Sequence, residues 1–489
     1  MDQAEQTLLD SNHGSLPPWN KGELPPPPRI SLQSLVGPGL LMVGASIGGG
    51  EWLFGSVVTA RYGGVVMWIA GLSIAFQVAY NLAVMRYTLY TGEPILVGFL
   101  RTRPGPKFWL VVYLLSDLGY IWPYLAANAA VPLAAAWLGE MPGPSDDALI
   151  RNLGYAIFLS AFVPLIFGGK VYNVVERVMS IKVFLVLAYL LVIDLALVGP
   201  AAWVEVFSGF FRVGSLPTEE IEWGSLAAFA AVAGAGGLSN TLFSNYVRDK
   251  GWGMGASVGA IPSFVGGRHI GLSHVGSVPV LKGEQMVRWR GWIRHILRDQ
   301  ILIWGVGCVL GMALPAMLSL QFLRGVEVEG HGAAALIADG IAASHGRVFW
   351  YTTLLCGFLV LGPGVIQTVD GVCRRWTDVV WAASGRLRHT KPHRAYLTYY
   401  AIMACYCLWG LLALGLTPDP LILAVLGSSL GNIGLAVSAL HAIYVNRRLL
   451  PKPAQPSRAL DWMLVGAALF FLGISALAFE QRWRALGAS

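Results

Sequence analysis

Charge is scarce in this chain: Asp, Glu, Lys and Arg make up only 12% of its 489 residues. A soluble domain averages about 25%, and the mean hydropathy is +0.60. Too little polar surface remains to cover cores of this size, so a soluble enzyme or binding module is excluded and lipid is read as the solvent. Cysteine is scarce too. Cys308, Cys356, Cys373, Cys405 and Cys407 fall in or beside apolar segments without CxxC spacing, and read as small buried side chains, not a metal or disulfide framework. Only His441 sits well inside an apolar run, where a helix–helix contact is its expected role. No nucleophile–base pair or ligand cluster stands at membrane depth, so no enzymatic activity and no bound cofactor are expected. The net charge of +7 does not point to nucleic acid, because the basic residues are spread between apolar runs. The first thirty residues lack an apolar run and carry Pro25 to Pro28. They read as a disordered cytoplasmic tail over 1–30, not a signal peptide.

Apolar runs are abundant. Windows near 35–60, 64–90, 108–138, 152–168, 180–199, 224–246, 297–323, 348–381, 397–415, 419–445 and 461–479 each suffice for a span of about 20 residues. The expectation is an all-α integral membrane protein of about eleven transmembrane helices. With the N-terminus inside, cytoplasmic loops would hold Arg101, Arg103 and Lys107; Lys170, Arg177 and Lys182; the cluster Arg248 to Arg298; Arg374 to Arg394; and Arg447 to Arg458. Outside loops carry fewer cations and acids such as Asp146, Asp147, Glu219, Glu220, Glu222, Glu327 and Glu329. The positive-inside rule then places the N-terminus in the cytoplasm, and a bacterial inner membrane is the expected location. The glycine-rich loop 248–295 is long for a bundle connection. It reads either as a gate or flap beneath the bundle or as a solvated linker.

Two of the runs are interrupted at matching places. The first passes through Gly48-Gly49-Gly50-Glu51 and the sixth through Gly234-Ala235-Gly236-Gly237-Leu238-Ser239-Asn240. Glycines weaken a helix, and a carboxylate in hydrocarbon costs several kcal/mol unless it faces protein or water. Breaks five helices apart point to an inverted-repeat transporter, with helices 1–5 over 31–222, helices 6–10 over 223–446 and an appended helix and tail over 447–489. Close packing through small residues explains either cluster alone but not their correspondence.

At these residues the chain resembles the Nramp metal transporters. Gly37-Pro38-Gly39-Leu40-Leu41-Met42 is similar to the opening of their first helix, and the stretch from Tyr62-Gly63 through Arg86-Tyr87-Thr88 to Thr91-Gly92 to their second. The resemblance implies the LeuT-type fold, a 5+5 inverted repeat with helices 1 and 6 broken, over about residues 31–479. The family's Asp-Pro-Gly-Asn and Met-Pro-His-Asn breaks are replaced here by Gly48-Gly49-Gly50-Glu51 and Gly237-Leu238-Ser239-Asn240. The metal-binding aspartate, methionine and histidine of that pattern are absent, and only Asn240 matches.

The substrate site is therefore expected at Gly48, Gly49, Gly50, Glu51, Gly237, Ser239, Asn240 and Ser244, with Glu51 and Asn240 as metal ligands. Asn245 and freed carbonyls add further oxygens. Such hard donors suit a largely hydrated Mg²⁺ or Mn²⁺. The alternative is a small organic solute whose anionic head meets the bare N–H groups of the first break while Glu51 pairs with its amine. A non-transporting receptor is a further alternative; a channel would favour a repeated pore motif. Glu51 and Asp117 are candidates for relaying a coupled proton. Gln367, Asp370, Ser428, Ser429 and Asn432 are candidate pathway residues, and Trp52 and Trp122 candidate caps of the cavity.

Overall fold

A computed structural model describes residues 16–29, 31, 36–218, 220–267, 270–273, 275–325, 335–388, 394, 396–416 and 420–487. Nine apolar helical segments among them are long enough to cross a membrane. The first, Pro38–Thr91, holds two crossings, because Gly63 at φ 73° interrupts it. Pro420–Leu449 adds a 30-residue helix. The eleven spans are α1 (Pro38–Tyr62), α2 (Met67–Thr91), α3 (Pro106–Leu138), α4 (Pro144–Ile166), α5 (Val171–Leu197), α6 (Trp223–Lys250), α7 (Glu284–Phe322), α8 (Arg347–Ala383), α9 (Tyr396–Leu416), α10 (Pro420–Leu449) and α11 (Arg458–Gly487). Two five-helix repeats, α1–α5 and α6–α10, are each headed by a broken helix.

α5 illustrates how lipid organises the helices. Ile181, Phe184, Leu191, Val192 and Leu195 are exposed, whereas Lys182 and Asp194 on the same helix are buried. Apolar side chains face the bilayer and the charges turn inward, as the cost of charge in hydrocarbon requires. At the start of α1, Pro38 stands in the first turn, and Asp299 Oδ1 accepts the Gly39 N–H at 3.0 Å. Asp299 opens a π-helical turn, Asp299–Gly305, within α7. A carboxylate there satisfies a free N–H and meets the positive helix end.

Several expectations need correction. Residues 16–29 are not a disordered tail. Leu16, Trp19 and Leu24 are buried, strand β1 (Asn20–Lys21) pairs in parallel with β2 (Ser277–Val278), and Trp292 Nε1 donates to the Pro25 carbonyl at 2.8 Å. Three apolar side chains anchor what composition alone marks as unstructured; residues 1–15 lie outside the described residues. The described part of 248–295 is packed, not a solvated linker. Its Val258, Ile261 and Leu272 are buried, it bridges to Phe167 and Lys170 before α5, and from Glu284 it is already α7. α3 is interrupted between Ser116 and Tyr124, where Pro123 supplies no backbone N–H. Finally, Lys182, Arg248, Arg374 and Arg375, counted above as loop charges, are buried within the bundle.

Candidate functional site

The two breaks meet. α1 runs as an α-helix over Pro38–Ser46, leaves helical geometry at Ile47 (ψ 85°) and resumes as a π-helical turn over Gly49–Gly55. α6 is helical over Trp223–Val232, opens through Gly234 (φ 103°) and Gly236 (φ 72°), and resumes through a 3-10 turn at Gly237–Thr241. These positive φ values admit glycine and strain other residues. A Cβ on Gly50 would run into the Val232 carbonyl oxygen, so the breaks touch backbone to backbone there. Gly50→Ala is therefore expected to lower initial uptake at least about tenfold at unchanged expression, the neighbouring carbonyl being unable to yield as a side chain would. Uptake at matched protein density checks this.

Glu51 is fully buried and joins the two breaks. Its Oε2 accepts the Gly48 N–H at 3.2 Å and its Oε1 the Gly234 N–H at 3.4 Å. A single carboxylate thus accepts one N–H from each break: that of Gly48 at the start of the second half of α1, and that of Gly234 just past the first half of α6. Across the break Lys182 Nζ donates to the Gly44 carbonyl at 2.7 Å. Gln77 of α2 holds the α6 break: its Nε2 donates to the Ala233 carbonyl at 2.7 Å, and its Oε1 accepts from the Gly236 N–H at 3.0 Å and from Asn240 Nδ2 at 2.9 Å. Ser73, one turn earlier, donates to the Ala230 carbonyl at 2.6 Å. Buried side chains thus satisfy the Gly48, Gly234 and Gly236 N–H groups and the Gly44 and Ala233 carbonyls, as a span without water requires.

Between the breaks lies a small cavity of about 60 Å³, room for a few water molecules. Ser46, Gly49, Gly50, Gly234, Gly236 and Ser239 contribute from the two broken helices. The interrupted α3 adds Tyr120 and Tyr124, and α8 adds Gln367, Thr368 and Arg375. Met42 also lines it, so the donors are not oxygens alone; a thioether enters from α1 where sequence reading expected none. Of the predicted site residues, Gly49, Gly50 and Ser239 line the cavity directly. Gly48 and Glu51 stand immediately behind it. Asn240 is buried against Gln77, while Ser244 donates to the Thr241 carbonyl and accepts from the Ile95 N–H. Gly237, at φ 48°, leaves no room for a side chain beside the Tyr120 hydroxyl.

The remaining candidates lie elsewhere. Asp117 accepts from Arg375 Nη2 at 2.9 Å and Trp376 Nε1 at 2.9 Å, so the guanidinium on the cavity wall is already paired. Asp370 is tied to Arg374 (Nε–Oδ2 2.7 Å) and to the Tyr399 hydroxyl at 2.7 Å. Arg374 also pairs with Asp249, and Arg248 with Asp249 at 2.7 Å and Asp378 at 3.2 Å, binding the second half of α6 to α8. Asn432 donates to the Ala227 carbonyl at 3.0 Å. His441 bonds Thr102 and Tyr113, each at 2.8 Å, in the expected helix–helix role. Trp52 is buried, and Trp122 packs on Trp409 at 5.3 Å between centroids; neither lines the cavity. The side chains of Ser428 and Ser429 lie outside the described residues. No group of three or more His, Cys, Asp or Glu among the described residues could enclose a metal ion.

No protein-family model matches the chain, and no curated protein matches it. Solved structures do. Two crystal structures of mutant forms of the Eremococcus coleocola manganese transporter cover 94% of this chain and 89% of theirs at 14% identity, with TM-scores of 0.61 and 0.60. The same transporter in complex with an aromatic bis-isothiourea substituted compound covers 96% of this chain and 90% of its own at 13% identity, with a TM-score of 0.57. The chain has the fold of these manganese transporters.

Proposed function

We propose that the protein is a secondary transporter that carries a hard divalent cation, Mn²⁺ or Mg²⁺, by alternating access, with the N-terminus cytoplasmic. One observation carries the reading: Glu51 is buried where both broken helices meet, beside a cavity walled by Ser, Thr, Tyr and Gln oxygens. Midplane sites between discontinuous helices are where this architecture binds its solutes. The ion keeps several waters and takes Glu51 as its carboxylate, with Asn240, Ser239 and the freed carbonyls as neutral donors. Met42 adds a soft donor, which favours Mn²⁺ over Mg²⁺.

A second reading has its own support. No carboxylate lines the cavity wall among the described residues, and Arg375 does. That wall suits a small solute carrying a carboxylate, held by bare N–H groups and the guanidinium. Uptake into proteoliposomes separates the two. Mn²⁺ uptake that saturates and is unaffected by small amino acids, amines and carboxylates is expected; uptake of one of those organic solutes without metal flux would replace the cation reading.

A further inference from the structure

The break in α1 opens one backbone hydrogen bond, and side chains of opposite charge take its two ends. In an unbroken helix the Gly48 N–H would donate to the Gly44 carbonyl. Here that N–H goes to Glu51 and that carbonyl to Lys182. Lys182 is 2% exposed. It lies 11 residues into α5, which begins at Val171; that is roughly 16 Å along the helix, beside the break in α1. It forms no ion pair among the described residues, and Glu51 across the break is the charge that acts on it.

The elements packed around it leave it isolated. α8 presents the bare backbone of Gly364, while its Asp370 is committed to Arg374 and its Arg375 to Asp117. α7 contributes Cys308, which faces Ser46 and Glu51. The second half of α6 places Tyr246 against Tyr172 of α5, and Glu176 of α5 pairs with Lys250. α1 itself is close enough that a Cβ on Gly44 would collide with Met179. An ammonium at the carbonyl end of a half-helix, between α1, α5 and α8, stands where this architecture places a coupling ion.

We propose that Lys182 is a tethered cation in a coupling-ion position, so that transport is driven by its protonation and not by sodium. This rests on the reading of the chain as a secondary transporter. A proton taken up from one side makes the ammonium that holds the Gly44 carbonyl and docks the first half of α1 on α5. Release of that proton to the other side leaves an amine, the carbonyl loses its charged donor, and α1 parts from α5. One proton crosses per cycle and no further reactant is needed.

The test uses full-length protein in proteoliposomes with Mn²⁺ as the probe, for wild type, Lys182→Met and Lys182→Arg. Wild-type uptake is expected to be unchanged by replacing sodium with choline and to rise severalfold under a proton gradient. Lys182→Arg keeps a charge that cannot be released and is expected to lose at least 90% of gradient-driven uptake while remaining folded. Gradient-driven uptake in either variant equal to wild type, or a sodium requirement in wild type, would overturn the proposal. Absence of wild-type uptake would overturn the cation reading instead. A second measurement then still decides the matter without any solute: labelling of Met179→Cys in a background lacking the native cysteines. Labelling rises with pH in both proteins as the thiolate forms, and is expected to rise more steeply in the Lys182 protein than with Lys182→Arg; parallel profiles would overturn the proposal.

Discussion

Glu51→Gln is expected to lower initial uptake roughly 5- to 100-fold without unfolding the protein. The carboxylate accepts two N–H groups, Gly48 from α1 and Gly234 from α6. An amide offers one acceptor oxygen, and its NH₂ must face the other N–H. One buried donor is left unmade, at a cost of about 1–3 kcal/mol, and the loss of charge unbalances Lys182 across the break. The side chain keeps its volume, so packing is preserved. Uptake kinetics at matched expression, with thermal melting as the control for folding, check this. Wild-type kinetics in the variant would remove Glu51 from the site.

Arg374→Met is expected to have the largest effect on stability. The guanidinium is fully buried against Asp249 and Asp370, and its Cζ lies 5.3 Å from the Tyr246 ring centroid. Removing it leaves two buried carboxylates with one fewer cation. Breaking a buried pair in this way costs about 3–5 kcal/mol, enough to lower the melting temperature by many degrees and to deplete folded protein in the membrane. Adding Asp370→Asn to Arg374→Met removes one uncompensated charge and is expected to recover part of the loss. Melting of the purified single and double variants measures both effects; a double variant less stable than the single would show that the uncompensated Asp370 charge is not what destabilises Arg374→Met.

The breaks were legible in the sequence because glycine is costly in a span and rarely accumulates there without purpose. Their meeting at Glu51 could also be anticipated from the one carboxylate in the first run. Lys182 and Arg374 could not be placed the same way. A charge near the end of an apolar window reads equally as a loop residue or as the buried end of a longer helix, and α5 and α8 extend beyond their windows. Gln77 carried a usable signal: Ser73, Gln77 and Asn81 form a polar stripe at intervals of four in the largely apolar stretch of α2 before Arg86, a face that must turn inward. Pro123 likewise marked the interruption of α3 that brings Tyr120 and Tyr124 to the cavity. The ordering of residues 16–29 depends on contacts with Gly276, Gln285 and Trp292 far along the chain, and no local pattern encodes those.

The central claim is that solute binds between the broken α1 and α6. Anomalous scattering from crystals grown with Mn²⁺ tests it most directly. A peak within coordination distance of Glu51, between that residue and Ser239, is the predicted result. A peak elsewhere in the bundle with none between the breaks would contradict it.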